Sequence, residues 1–463
     1  MTLDTIMLSR LQFAFTIGYH IMWPAYSIGI AGFIVLLNGL WLRTGKTVYR
    51  DLMRFWIRLF ALGFVMGVVT GVVLSYEIGA NWSGFARVTG NITGPLFMYE
   101  ALTAFFLEGG FIGIVLFGEA RVGRRVHFFA CSMVALGTLL SAFWVLAANS
   151  WMQTPQGAIL GMDKVFHVDH WARVIFNPSF PYRFAHMVCA SYITGIFVVA
   201  GVSAIFLLRK SDREFAETGL SLAMWIALFL VPLQMFLGDQ HGQNTRNYQP
   251  MKLAAIEARW DTASSVPLTL FAWPDQKAAT NLLPIDIPHL GSLILTHSWN
   301  GEIRGLKQVP SRDRPYVPIV FFAFRAMVGI GMILLALSIY GAYLRWRGQL
   351  FIRRWFLIAL VIAMPFSFIA IISGWIVTEA GRQPWVVYGV MRTADAASPL
   401  VAAKVGLTAI LFTIVYASLL AGFLWFFLRT IIQGPELSVL SDLRPPSARG
   451  RMRATPELLK RAP

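Results

Sequence analysis

The chain has 463 residues, 57% hydrophobic and 13% charged, with a formal net charge of +16 and a mean hydropathy of +0.62. A soluble protein needs about 25% charged residues to cover its surface, so these values exclude a soluble globular domain and imply an integral membrane protein. The positive excess does not point to nucleic acid, because the basic residues gather in alternate loops instead of along one face.

Crossing a bilayer core of ~30 Å takes ~20 largely apolar residues in a helix. Stretches of that kind are predicted at 11–38, 54–76, 94–118, 127–148, 184–208, 219–238, 318–344, 355–378 and 403–428, which makes an all-α polytopic membrane bundle of about nine transmembrane helices in a single domain, 1–463. Helices satisfy their own backbone groups in lipid, and no barrel-type alternation of period two occurs.

The first helix carries Arg10 near its start and His20 two to three turns from that end. It has neither a basic leader nor a small-residue cleavage site, so it is expected to be retained. Arg43, Lys46, Arg50 and Arg54 follow it. The third helix holds Glu100 and Glu108; eight residues of regular helix rise ~12 Å and turn through a net ~80°, so both carboxylates are expected on one side. Two carboxylates in one span read as a proton relay rather than bundle filling. After Arg121, Arg124 and Arg125, the fourth helix contains His127, Ser141 and Asn149. His186 opens the fifth, which is followed by Arg209, Lys210 and Arg213. Cys131 and Cys189 fall in apolar spans and make no disulfide framework.

Residues 239–317 form a long polar loop with Lys252 and Glu257. A Lys and a Glu five apart on such a loop would ordinarily be a solvated face. Arg325 and Met327 open the seventh helix, and Arg345, Arg347, Arg353 and Arg354 close it. The eighth ends in Gly374-Trp375-Ile-Val-Thr-Glu379-Ala-Gly381-Arg382-Gln-Pro384-Trp385. An unpaired carboxylate at membrane depth costs at least ~2.5 kcal/mol, so Glu379 is a functional-site candidate. Gly381 and Pro384 end the helix, leaving Arg382 and Trp385 where they could hold an anionic group. By the positive-inside rule the basic loops and the tail, 434–463, are cytoplasmic, and the N-terminus lies outside.

A His and a Met on two helices can form the axial pair of a low-spin heme, whereas a single His or a carboxylate leaves a coordination position open. A lone His in a membrane helix is nevertheless more often a bundle residue, and a lone Met is more often core filler. The residue types by themselves leave both readings open.

The segments SRLQFAFTIGYH (His20), GPLFMYEALTAFFLEG (Glu100, Glu108), YRFAH (His186), QPMKLAAIEARW (Lys252, Glu257), FAFRAM (Met327) and TEAGRQPW (Glu379) resemble, in order, those of subunit I of the cytochrome bd-type quinol oxidases. The resemblance implies that His186 and Met327 ligate the low-spin heme b558, with Arg325 near its propionates or iron. His20 and Glu379 would then ligate the two hemes of the oxygen site, heme b595 and heme d or a further heme b in its place. It further implies proton relay by Glu100 and Glu108, with Ser141 and Asn149 along the path and heme edge. Arg10, His127, Arg382 and Trp385 would make propionate or rim contacts, and Trp375 would pass electrons. Lys252 and Glu257 would serve as donor and base at the quinol hydroxyls.

The implied activity is a quinol oxidase that takes electrons from ubiquinol or menaquinol at the outer face and reduces O2 to water with cytoplasmic protons. Its expected partners are a second membrane subunit and a small single-helix subunit, in the bacterial cytoplasmic (inner) membrane. The compact stretch between Glu257 and Arg325 is similar to the short Q-loop branch that includes the cyanide-insensitive oxidases. A secondary transporter would instead show inverted repeats and broken helices. A non-oxidase membrane cytochrome b would pair His ligands on two helices.

Overall fold

The Asp4 carboxylate accepts a hydrogen bond from the Met7 backbone N–H at 2.6 Å and so caps the first helix. That helix, α1 (Thr5–Thr44), runs to Gly45, whose φ of +69° stops it in the left-handed conformation that glycine adopts without a steric penalty. The structure, a computed structural model, describes residues 4–435. The basic tail residues Arg444 to Arg461 lie outside the described residues.

In chain order there follow α2 (Thr47–Asn81), α3 (Ser83–Glu100), a π-helical turn (Ala101–Phe105), α4 (Phe106–Phe117) and α5 (Arg124–Gln153). Strands β1 (Ala158–Leu160) and β2 (Phe166–Val168) pair before α6 (Trp171–Ile175), α7 (Phe180–Arg209), α8 (Arg213–Tyr248) and α9 (Pro250–Ile256). The long loop then folds as β3 (Ala263–Ser264), the hairpin β4 (Leu268–Asp275) and β5 (Thr280–Ile287), α10 (Leu290–Thr296) and β6 (Glu302–Ile303), which pairs with β3. There follow α11 (Val317–Trp346), α12 (Arg354–Ala363), α13 (Phe366–Ala380), β7 (Trp385–Val387), β8 (Met391–Arg392), α14 (Thr393–Ala396) and α15 (Ala402–Gln433). Among the described residues, nine helical spans are long and apolar enough to cross a membrane, α3–α4 and α12–α13 each counting as one.

Helix association in lipid depends on close packing more than on hydrophobicity. The α1–α7 crossing shows this: a Cβ added at Gly29 would fall 2.4 Å from the Ser191 carbonyl oxygen and 2.8 Å from the Gly195 Cα. Nearer the basic end of the bundle Phe55 meets Trp56, Phe206 and Phe215 edge to face, with centroids 5.3–5.9 Å apart. The basic end of the bundle is tied by Glu119, which accepts from Arg50 and Arg54 at 2.5 Å each.

Three expectations change. The third span is not a regular helix, because the π turn inserts a wider loop of backbone between the two glutamates. The eighth span is broken at Pro365, which has no N–H to continue the ladder. The loop begins ten residues later than 239, since α8 stays helical through its polar end to Tyr248.

Candidate functional site

Glu379 occupies the last turn of α13. One carboxylate oxygen, Oε1, accepts from Asn149 Nδ2 at 3.0 Å and from Gln153 Nε2 at 3.3 Å, both on the last two turns of α5. The other oxygen is paired with the Arg382 guanidinium. Arg382 is buried, and two of its nitrogens, Nε and Nη1, have no partner. Within the same shell lies Arg183 from the start of α7, also buried and with its Nε unpartnered. Yet 33% of the Glu379 side chain remains open, so the carboxylate borders an internal space.

Lys252 belongs to this group, and not to a solvated loop face. Its Nζ donates to Gln153 Oε1 at 2.5 Å and to Gln249 Oε1 at 2.7 Å, and the side chain is 2% exposed. Its stem lies against Gly381, where an added Cβ would come 2.8 Å from Lys252 Cγ. Burial, and then the nearby charges of Arg183 and Arg382, hold this ammonium well below the usual lysine range, with Glu379 pulling the other way. Three basic side chains thus converge on one carboxylate.

Glu257 points elsewhere. It accepts from Arg325 at 2.7 Å, and the same guanidinium donates to the carbonyls of Ile256 (2.7 Å) and Thr269 (2.6 Å) and lies over the Phe321 ring at 4.2 Å. Arg325, expected near the propionates or iron of a heme, has its guanidinium engaged by the loop.

On α1, His20 Nδ1 lies 2.8 Å from the Thr70 hydroxyl of α2. That hydroxyl gives its proton to the Met66 carbonyl at 2.7 Å, so it accepts from Nδ1–H and leaves the Nε2 lone pair of His20 for another partner. A Cβ at Gly71 would come 3.3 Å from the ring. His186 on α7 has its ring nitrogens at 3.1 and 3.3 Å from the Gln234 amide nitrogen of α8, beside Gly238 and the ring of His241. Met327 on α11 is packed against Gly374 of α13, where a Cβ would meet its sulfur at 2.9 Å. Trp375 follows, wedged among Ile21 and Ala25 of α1, Ala147 of α5 and Met187 of α7. It sits between the helices that carry His20 and His186.

Glu100 accepts from Ser141 at 2.8 Å, and Glu108 packs on Gly137 one turn away along α5. The π turn keeps both carboxylates against the same helix. Trp385 starts β7 with the Arg392 guanidinium 4.6 Å over its ring. Arg10 is exposed near the start of α1. His127 is a clear correction. It sits at the basic end of α5, bonded to Asn38 at 3.0 Å and the Val115 carbonyl at 3.2 Å, and 22 residues of helix put it about 33 Å from Asn149.

Sequence reading missed Arg183, Gln153 and Gln234. Arg183 stood next to a noted histidine, and a cation three residues before a candidate ligand in an apolar helix was the available signal; the two glutamines carried none.

The model of the family described as "Cytochrome bd terminal oxidase subunit I" matches residues 8–435. Among similar proteins, cytochrome bd ubiquinol oxidase subunit 1 of Bacillus subtilis is 34% identical, covering 94% of this chain and 95% of the relative. Cytochrome bd-II ubiquinol oxidase subunit 1 of Escherichia coli is 31% identical over 89% and 93%. The solved bd oxidase from Geobacillus thermodenitrificans superposes with a TM-score of 0.86 at 29% identity, covering 93% of this chain and 99% of that one. With nine apolar spans, a match along nearly its whole length and relatives of equal extent, the chain belongs to the cytochrome bd terminal oxidase subunit I family, multi-pass proteins of the bacterial inner membrane.

Proposed function

We propose that this chain is the heme-bearing subunit of a quinol:oxygen oxidoreductase. The observation that carries the reading is the convergence of Arg183, Lys252 and Arg382 on the single carboxylate of Glu379, with three guanidinium nitrogens unpartnered beside an open internal space. Buried charge demands a counter-charge, and a planar dianionic cofactor meets that demand: its propionates suit the guanidinium forks, while His20 Nε2 and Glu379 are iron ligands of the right chemistry. His186 and Met327 would hold a further heme, with Gln234 releasing the imidazole. Bound hemes supply one-electron carriers and an oxygen-binding iron.

The protein's own residues do the rest. Thr70 fixes the His20 ring and its tautomer. Trp375 packs between the two ligand-bearing regions. At the loop, Glu257 takes a quinol hydroxyl proton and Lys252 orients the ring oxygen. Each quinol gives up two electrons and two protons, so two quinols balance the four electrons that convert one O2 to two waters. The four protons that O2 requires pass along Glu108 and Glu100, the latter anchored on Ser141. Glu108 is the nearer to the end bearing Arg50, Arg54, Arg124 and Arg125, which the charge rule makes cytoplasmic.

The relatives are named as ubiquinol and menaquinol oxidases, and either quinol suits this chemistry. A second membrane subunit completes the enzyme. The test is oxygen uptake by the purified complex with short-chain ubiquinol and menaquinol analogues. Uptake is expected with at least one and should be lost in Glu379→Ala; oxygen uptake with neither would refute the proposal.

A further inference from the structure

The β4–β5 hairpin presents an apolar surface that nothing among the described residues covers. Phe271, Trp273, Leu282, Leu283, Ile285 and Ile287 are 40–81% exposed, Leu283 most of all. Its exposure is built in. Trp273 pairs with Leu282 and Phe271 with Ile285, so Leu283 and Pro284 together oppose Ala272, and Leu283 takes up this bulge at φ +50°, a conformation that L side chains rarely adopt. Facing a leucine outward in a strained backbone makes no sense in water, where an open hydrophobic strand invites aggregation.

The hairpin lies lengthwise along the first turns of α11. At its tip, Gln276 bonds to the Pro315 carbonyl at 3.2 Å and the Val317 N–H at 2.9 Å. Midway, Phe271 and Trp273 meet Phe322 at 6.0 and 5.5 Å, and at its base the Thr269 carbonyl accepts from Arg325. Thirty residues make α11 about 45 Å long, whereas the hydrocarbon core is ~30 Å thick. Counting that thickness back from Arg345, at the basic end, reaches Arg325. The base of the hairpin is therefore level with the edge of the hydrocarbon and its tip stands above it. Below the hairpin α11 itself exposes apolar side chains, among them Val328, Met332 and Ile339. Pro284 lacks an N–H, which makes β5 a poor template for strand addition by another protein.

We propose that the β4–β5 hairpin is seated in the interfacial layer of the lipid bilayer on the Glu379 side, with Leu283, Ile285 and Trp273 in contact with acyl chains and headgroups. Its tryptophan belongs to the aromatic belt of that layer, and the polar tip at Asp275–Lys277 stays in water.

The test uses the whole oxidase complex in nanodiscs of phosphatidylcholine, a fraction of which carries a diazirine in the acyl chain. After photolysis, mass spectrometry should find lipid adducts on residues 282–287 as well as on the exposed face of α11. Lipid adducts on α11 with none on the hairpin would overturn the proposal. A second measurement compares Leu283→Cys with Lys277→Cys under a charged, water-soluble thiol reagent, Cys131 and Cys189 being buried. Reaction at position 283 should be severalfold slower than at 277; equal rates would overturn it.

Discussion

The Lys252 ammonium donates to Gln153 Oε1 at 2.5 Å, while the amide nitrogen of the same glutamine lies 3.3 Å from Glu379. One uncharged side chain thus joins the loop to the Glu379 carboxylate. Gln153→Leu leaves a buried ammonium short of an acceptor, and hydrogen bonds to charged groups are worth about 1.5–3 kcal/mol. Quinol-driven kcat/KM should fall by roughly ten- to a hundredfold, and the spectrum of the oxygen site should shift. A variant with wild-type kinetics and spectrum would show that Gln153 is only filler.

Glu257→Ala strips the partner from a guanidinium that is 17% exposed. Breaking a buried pair costs about 3–5 kcal/mol; the two carbonyls that remain on Arg325 argue for the lower end. Protease sensitivity of residues 249–316 should rise, and quinol-driven oxygen uptake should fall while the hemes stay in place. An unaltered loop with intact activity would count against both roles.

The nine spans and their order were legible because apolar runs are a strong signal, and charged residues inside them marked Glu379 and its neighbours. Glu379, Arg382 and Asn149 do meet. What was hidden depended on partners distant in sequence. The Arg325 side chain goes to Glu257 and Thr269, 68 and 56 residues away. Lys252 is buried by a helix end that no periodicity places beside it, and His127 was misplaced because a histidine's depth along a helix was not weighed against the end at which Glu379 lies. The π turn left no compositional mark at all.

Lys252 gives the stability a pH signature. A base whose folded pKa is lowered binds fewer protons than the unfolded chain, so stability rises with pH between the lowered value and the ordinary lysine value, and falls as pH drops through that window. Lys252→Met removes this group, and the rise in Tm of the complex toward alkaline pH should flatten. An identical Tm profile in the variant would contradict the burial of this amine.

Glu108→Gln keeps the shape that packs on Gly137 but cannot carry a proton. Steady-state oxygen reduction should drop by about two orders of magnitude, within the range for losing a positioned acid–base group, with heme content unchanged. Glu100→Gln, bonded to Ser141 nearer the site, should disturb the oxygen-site spectrum as well. Wild-type turnover in Glu108→Gln would make that carboxylate structural.

The most direct test of the heme assignment is the reduced-minus-oxidised absorption spectrum of the purified complex beside that of Met327→Leu, which keeps the volume against Gly374 and removes the thioether. The account predicts heme bands in the wild type, including a low-spin b-type component that becomes high-spin or is lost in the variant. A colourless wild-type complex, or a low-spin spectrum untouched by the substitution, would contradict it.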